Sequence, residues 1–314
     1  MTLPITRQHL PVIAALVSLL LLYTGASMAF ADRGYLSAYN FFNIFHESAI
    51  LGVTAVGMAF VILSGGIDLS VGGMVALVSI STAVLIQHHN VHPLFAWAIM
   101  LAVGILVGLT HGTLITFFDL PPFLVTLAGM FFCRGLALYI SENSVEITHK
   151  VVTSAADTAI KIGSGIPPGR ITIVTDIFMA ILVTGSLLSL FTRFGRNVYA
   201  IGGNETSARL MGLPVSAAKI GIYVLSGFCA ALAGVCHTIA NTSGDALNAG
   251  QGLELDAIAA VVIGGTLLSG GVGYVASTIL GVLILGIIQT IITFSGRFSP
   301  GWTKVVVGAL LLVF

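Results

Sequence analysis

Two glycine-rich octets hold the residues of this chain whose types and spacing most plainly suggest chemistry. Gly65-Gly-Ile-Asp-Leu-Ser-Val-Gly72 and Gly264-Gly-Thr-Leu-Leu-Ser-Gly-Gly271 both fit GGxxLSxG, and each follows an apolar run, Phe60 to Leu63 in one case and Ala260 to Ile263 in the other. Paired glycines let a helix break or kink and let helices approach closely, while Ser70 and Ser269 can bond the freed backbone groups. Broken helices recurring in two halves of a chain point to a solute pathway. Either internal duplication or chance recurrence in a chain with 37 glycines accounts for the repeat. Asp68, inside the first octet, has three roles open to it: capping a broken helix, pairing with a cation such as Arg134, or lining a wet cavity.

Other chemistries find little support. No GxxxxGK[ST] string occurs, so nothing here would cradle nucleotide phosphates. His88, His89 and His92 share a short turn without a cysteine or carboxylate beside them, a poor metal set, and no metal site is expected. His46, His111 and His237 fall singly in or near apolar segments, where a hydrogen-bonded packing role is expected. Cys133, Cys229 and Cys236 all lie in apolar segments and read as small buried hydrophobes. The last two stand about 10 Å apart along a helix, too far for a disulfide.

The elements that must position these groups follow from composition. Of 314 residues, 57% are hydrophobic and only 8% charged, whereas a soluble domain keeps roughly a quarter charged. The outer surface therefore faces hydrocarbon. Net charge is zero and no basic run occurs, which leaves no nucleic-acid footprint. Arg7 with the apolar stretch after it resembles a secretory signal, but the stretch continues through Phe30 and reads as an uncleaved first helix.

A bilayer core takes about 20 apolar residues per helix, and that rule predicts an all-α polytopic bundle of ten spans, some broken at the octets. Their limits are Leu10 to Phe30, Phe45 to Leu63, Gly72 to Ile86, Leu94 to Phe117, Phe123 to Ile140, Ile171 to Phe191, Ile220 to Ala240, Leu255 to Leu268, Val272 to Thr293 and Trp302 to Phe314. The whole of 1–314 forms one membrane domain. The last segment is too short to cross unless tilted or continued, so a tail beyond Phe314 is expected. Basic residues on alternate sides tie: Arg7, Arg193, Arg196, Arg209 and Lys219 against Arg33, Lys150, Lys161, Arg170 and Arg297. The first group is placed in the cytoplasm because the Arg193 to Lys219 cluster is the densest.

Three connections are long. Ser141 to Arg170, on the extracytoplasmic side, mixes charges with Gly163, Gly165, Pro167, Pro168 and Gly169; turns and irregular structure are expected, serving as a solvated connector or a docking surface. Asn241 to Glu254 is the shortest of the three. In Arg193 to Lys219 a short helix is predicted: Asn204 can cap it, Glu205 suits the positive end of its dipole, Gly212 can close it, and Pro214 prevents continuation. Ala208, Leu210 and Met211 give it an apolar side. Two turns are not stable alone, so it packs on its own bundle or in a groove of another protein.

The strings VILSGGIDLSVG, ITFFDLPPFLVTLAGM, FGRNVYAIGGNETSARLMGLPV and AVVIGGTLLSGGVG together make the chain resemble the ribose-type sugar ABC permease family over nearly its whole length. A finer likeness, carried by Gly129-Met-Phe-Phe-Cys-Arg-Gly135, is to galactofuranose-type permeases. The resemblance implies a multi-pass inner-membrane subunit importing a monosaccharide. It also implies a second permease, identical or not, a periplasmic sugar-binding protein, and a cytoplasmic ATPase that binds ATP and magnesium; this chain would itself be no enzyme and carry no cofactor. It makes Gly203, Asn204, Glu205, Thr206, Ser207, Ala208, Arg209, Leu210, Met211 and Gly212 the coupling helix seated in that ATPase. A sugar pathway needs neutral polar and aromatic groups at the spans, and Asn43, Phe45, Glu47, Ser64, Asp68, Ser70, Thr126 and Asn241 are the candidates, with Arg134 a counter-charge to Asp68 or Glu47. An ion-coupled carrier or channel is the alternative; it would place ionisable residues along the spans, and beyond Glu47, Asp68, Arg134 and Asp176 the spans carry few.

Overall fold

The computed structural model describes residues 10–157, 159–162, 169–296 and 301–313. Arg7, Gly163, Gly165, Pro167, Pro168, Arg297 and Phe314, named above, lie outside the described residues. Among the described residues eight helices are long and apolar enough to cross a membrane: α1 (Leu10–Ala29), α2 (Ala38–Leu63), α3 (Ser70–Gln87), α4 (Pro93–Phe117), α5 (Pro122–Ile140), α7 (Ile173–Phe191), α10 (Val215–Asn241) and α12 (Thr278–Ser295). Between and after them come α6 (Lys150–Asp157), α8 (Arg193–Gly203), α9 (Glu205–Leu210), α11 (Leu253–Ile263) and α13 (Trp302–Val313).

Two of the ten predicted spans, Leu255 to Leu268 and Trp302 to Phe314, are not among these eight, and the second was already too short to cross by its sequence. The apolar window Leu255 to Leu268 runs through the second octet, but α11 stops at Ile263 after 11 residues, about 16 Å of helix, half the thickness of a hydrocarbon core. The stop has a definite cause. Gly265 takes φ +97°, its N–H returns to Val262 O at 2.8 Å, and the Thr266 N–H returns to Val261 O at 3.2 Å, the paired bonds of a left-handed glycine terminus. The first octet ends α2 in the same way: Gly65 has φ +80°, with Gly65 N to Ile62 O and Gly66 N to Val61 O both 2.9 Å. The two closures are offset by one residue against the octet alignment. Beyond them the octets diverge, because the first enters α3 at Ser70 while the second makes further turns before α12 begins at Thr278.

The centre of the bundle is α2, α3 and α10. From Ser48 the second helix is buried almost without interruption to Leu63, and α3 is buried along nearly its whole length. Helices α4 and α10 meet along small residues: Gly104, Gly108 and Gly112, one turn apart, face Ala231, Gly227, Tyr223 and Ile220 of α10. Association in lipid depends on such close van der Waals contact, since apolar burial supplies no drive there.

The 141–170 connection is more ordered than its glycines and prolines suggest. It contains α6 and an antiparallel hairpin of β2 (Ala159–Ile162) with β3 (Gly169–Thr172). Its first strand, β1 (Val145–Glu146), pairs antiparallel with β4 (Ser243–Gly244) just after α10. The 141–170 connection and the start of the 241–254 connection thus lie together at one end of the bundle, and the ends of α2 and α8 meet the second octet at the other.

Candidate functional site

At the octet end, three chain segments meet backbone to backbone. The Gly271 N–H donates to Leu63 O at 2.9 Å. A Cβ at Gly202 would collide with Leu63 O, and one at Gly270 would lie 2.7 Å from Gly65 N. Leu63 to Gly65 after α2, Gly270 to Gly271 before α12, and Gly202 to Gly203 at the end of α8 therefore form a clasp in which Gly202, Gly270 and Gly271 have no room for a side chain. Tyr199 of α8 ties it further, its hydroxyl donating to Gly273 O at 2.9 Å. Burial raises the Tyr199 pKa above the ordinary phenol value, so the hydroxyl keeps the proton it donates.

Asp68 lies just above the clasp and is 2% exposed. One carboxylate oxygen accepts from Ser70 N at 2.9 Å and Ser70 Oγ at 2.6 Å; the other accepts from Ser226 Oγ of α10 at 2.6 Å. Ser70 Oγ is also 3.4 Å from His111 Nδ1 of α4. The aspartate thus holds the first turn of α3 and pins it to α10, a neutral-donor solution to a buried carboxylate. Of the three roles open to it, capping is the one these contacts serve. Arg134 is not its partner. That guanidinium donates through Nη1 to the carbonyls of Ala246 at 3.0 Å, Leu247 at 3.4 Å and Ala249 at 2.9 Å.

Those carbonyls belong to a non-helical descent. Gly244 packs on Ser79, Ile80 and Ala83 of α3, and Gly250 on Gly72 and Val75, so the chain runs down α3 by roughly seven residues of helix, about 10 Å, before α11 starts. Backbone without a helix is tolerated inside a bundle only if protein groups satisfy it. Arg134 supplies one half of that. Asp245 supplies the other, accepting from Leu247 N at 2.8 Å and Asn248 N at 2.9 Å, while the Asp245 N–H donates to Ser79 Oγ at 3.2 Å. Glu254 and Asp256 occupy the first turn of α11, the favourable end of its dipole, and Asp256 pairs with Lys304 of α13 at 2.7 Å.

The remaining candidates separate. Asn43 and Glu47 line a cavity of about 260 Å³ between α2 and α12. Phe45 is turned away from it into an apolar groove beside α1, because two residues along a helix are about 200° around it. Ser64 caps back onto Val61 O at 2.7 Å, and Thr126 bonds Pro122 O at 2.9 Å while approaching Ile67 O of the octet at 3.4 Å. Asn241, at the far end of α10, donates to His237 O. Ser64, Asp68, Ser70 and Thr126 are brought together around the octet; Asn43 and Glu47 form a second place, and Phe45 and Asn241 join neither. His111 is buried beside Ser70, in keeping with the packing role expected of it; sequence reasoning missed Ser226, Gly202 and the polar residues of α12 opposite Asn43. Only the one-turn spacing of Gln289 and Thr293 within an apolar span carried a signal for that last group.

The short helix α9 begins and ends where its capping residues require. Asn204 Oδ1 accepts from Ser207 N at 2.8 Å, and Gly212, at φ +77°, closes it with Gly212 N to Arg209 O at 3.0 Å and Leu213 N to Ala208 O at 3.1 Å. The expected apolar side divides in two. Ala208 is buried against its own bundle, whereas Leu210 and Met211 are 84% and 69% exposed. Glu205 faces inward to Lys219 at 2.9 Å and to Arg209 at 3.2 Å, strapping α9 onto the start of α10.

Residues 40–314 match the family described as branched-chain amino acid transport system / permease component. The chain is 48% identical over 281 residues to the inner membrane ABC transporter permease protein YjfF of Escherichia coli K12, covering 90% of this chain and 84% of that one. It is 38% identical to the fructose import permease protein FruG of Bifidobacterium longum, over 98% of this chain and 90% of the relative. Against the ribose import permease protein RbsC of E. coli K12 it is 36% identical, over 95% and 90%. No solved structure matches it.

Proposed function

The chain belongs to this family of ABC permeases, and from that premise we propose that it forms one half of the membrane pathway of an importer for a neutral monosaccharide, driven by a separate ATPase. It is a multi-pass inner-membrane protein. The family description names amino acids, but relatives sharing a third or more of their residues over nearly full length are import permeases for ribose and fructose, and that weighs toward a sugar. Solute reaches it on a periplasmic binding protein, a second permease completes the pathway, and ATP and magnesium stay with the partner ATPase.

One observation carries the coupling assignment: α9 is rigidly capped and strapped to its bundle, yet holds two large apolar side chains out into solvent. An exposed pair of that kind at a fixed angle fits a groove in a cytoplasmic ATPase. Motion of α9 passes through α8, whose last residues are in the clasp, to the ends of α2 and α12. For the sugar itself, galactofuranose is the first to try, on the likeness of the string Gly129 to Gly135. Gly129 of that string lies against His111 and its Arg134 holds the 246–249 carbonyls, so the string also serves the fold.

The test is ATP hydrolysis in proteoliposomes containing this chain co-purified with the products of its neighbouring genes. Stimulation by a sugar-loaded binding protein is the expected result. If no ATPase co-purifies and an ion gradient alone drives sugar uptake, the ion-coupled alternative replaces this reading.

A further inference from the structure

Polar side chains on two spanning helices face one another where lipid would be a poor neighbour. On α2, Asn40, Asn43 and Glu47 stand three and four residues apart and so share a face. On α12, Gln289, Thr290 and Thr293 share another, and Gly286, against Ser48, sets the two helices in contact. Together these residues line the cavity of about 260 Å³. A neighbouring cavity of about 210 Å³ shares Glu47, Gly286 and Gln289 with it and adds Asp256 of α11 and Thr303 of α13. Glu47, Gln289 and Thr293 are exposed. Among the described residues the side chains of Asn43, Glu47 and Gln289 have no hydrogen-bond partner.

A carboxylate on a spanning helix that faces hydrocarbon costs on the order of 3 kcal/mol, and two unsatisfied amides add to that. The arrangement is therefore stable only if the face is wet. Its chemistry is also selective. Carboxylate and amide oxygens accept from hydroxyls, and amide nitrogens and threonine hydroxyls donate to them; of the cations at these cavities, Arg33 is engaged by the Phe294 carbonyl and Lys304 by Asp256. Each cavity falls below the roughly 300 Å³ at which sites for drug-sized ligands begin, room for a single ring.

We infer that this α2–α12 face is the site where a neutral monosaccharide first contacts the permease, with Asn43, Glu47 and Gln289 exchanging hydrogen bonds with its hydroxyls. Its position supports an entry site. The cavity lies at the start of α2 and the end of α12, the end opposite the clasp, so sugar enters here while the clasp is still joined. This inference rests on the reading of the chain as a sugar permease.

Cysteine scanning tests it in the assembled transporter. The three native cysteines are buried, so single replacements Asn43→Cys, Glu47→Cys, Gln289→Cys and Thr293→Cys can be followed with a charged, membrane-impermeant thiol reagent in right-side-out and inside-out vesicles. Leu21→Cys and Leu106→Cys, at exposed apolar positions, are the controls. The four polar positions should react about ten-fold or more faster than the controls, since a thiolate forms in water and not in hydrocarbon. D-ribose, D-fructose, D-xylose and D-galactose are then tried at millimolar concentration, and at least one should slow labelling several-fold. Labelling no faster than at the controls means a dry packing face and overturns the inference. Fast labelling that none of the four sugars slows means a wet surface without a sugar site, and overturns it too. Sugar-stimulated ATP hydrolysis by the unmodified transporter is measured in parallel; its absence counts against the permease reading, whereas the labelling pattern is judged on its own.

Discussion

Replacing Leu210 and Met211 by alanine isolates docking from folding. Full burial of a Leu or Met side chain contributes about 1.5–3 kcal/mol relative to exposure. With Leu210 84% and Met211 69% exposed, most of that gain is still available for a partner to take up. Neither side chain supports its own bundle, because α9 is held by Ala208, the Asn204 cap and the Glu205 to Lys219 pair. Truncating both should remove about 3 kcal/mol of interface energy, a loss of affinity on the order of 100-fold, with each single variant near ten-fold. The assay titrates purified ATPase onto the permease in nanodiscs and reads bound ATPase and sugar-stimulated hydrolysis together. The thermal midpoint of the permease alone should not move. Gly203→Ala is the control in the same segment, since a Cβ there meets nothing within 4 Å. Affinity of the double variant within three-fold of wild type, with the midpoint unchanged, refutes the reasoning.

Further expectations concern the parts that hold the pathway. Gly202→Ala pushes a methyl into Leu63 O and should lower the unfolding midpoint in detergent and abolish uptake, by the overpacking cost of roughly 1–3 kcal/mol; a midpoint equal to that of Gly203→Ala would contradict the clasp. Asp68→Ala strands the hydroxyls of Ser70 and Ser226 and the Ser70 amide, with an expected loss of about 3 kcal/mol in chemical unfolding, against about 1 kcal/mol for Ser226→Ala. Equal losses would show that the carboxylate is not the centre of the network. Arg134→Ala frees three carbonyls, so protease should cut the 242–252 segment in nanodiscs, and Arg134→Lys should restore only part of the protection, its ammonium being shorter in reach and more strongly hydrated than the guanidinium. Undiminished protection in the alanine variant would assign the descent to other contacts.

What could be read in the sequence was local. The glycine closures after Leu63 and Ile263, the Asn204 cap and the Gly212 stop depend on residues within six positions of one another, and the types present dictate them. Hydropathy located the long helices but not the short ones, because a sliding sum over Leu255 to Leu268 cannot register that Gly265 turns the chain in the middle of an apolar run. Long-range pairings were not legible. Charge counting sets Arg134 against Asp68 or Glu47, whereas the carbonyls of a chain leaving its helix are the stronger claim on its guanidinium, and carbonyls carry no mark in a sequence. Asn43 and Phe45 both qualify as polar or aromatic groups at a span, but helical rotation sends them to different faces. The resemblance added the coupling role; that Leu210 and Met211 point away from Ala208 required coordinates.

The Arg134 contact also sets an order on biosynthesis. The guanidinium is made 112 residues before the first carbonyl it holds, so α5 enters the bilayer with a charge whose insertion costs on the order of 3 kcal/mol and has no partner waiting. Until α10 is in place and the chain turns back down α3, that debt is outstanding, and α5 has reason to stay beside the translocon or against α3 instead of dispersing into lipid. The 242–252 segment, for its part, finds its donor already positioned when it emerges. Assembly from the N-terminus is thereby favoured at this step, and a version of the chain permuted to make α10 and α11 first would expose an unsatisfied backbone to hydrocarbon before any arginine existed to receive it.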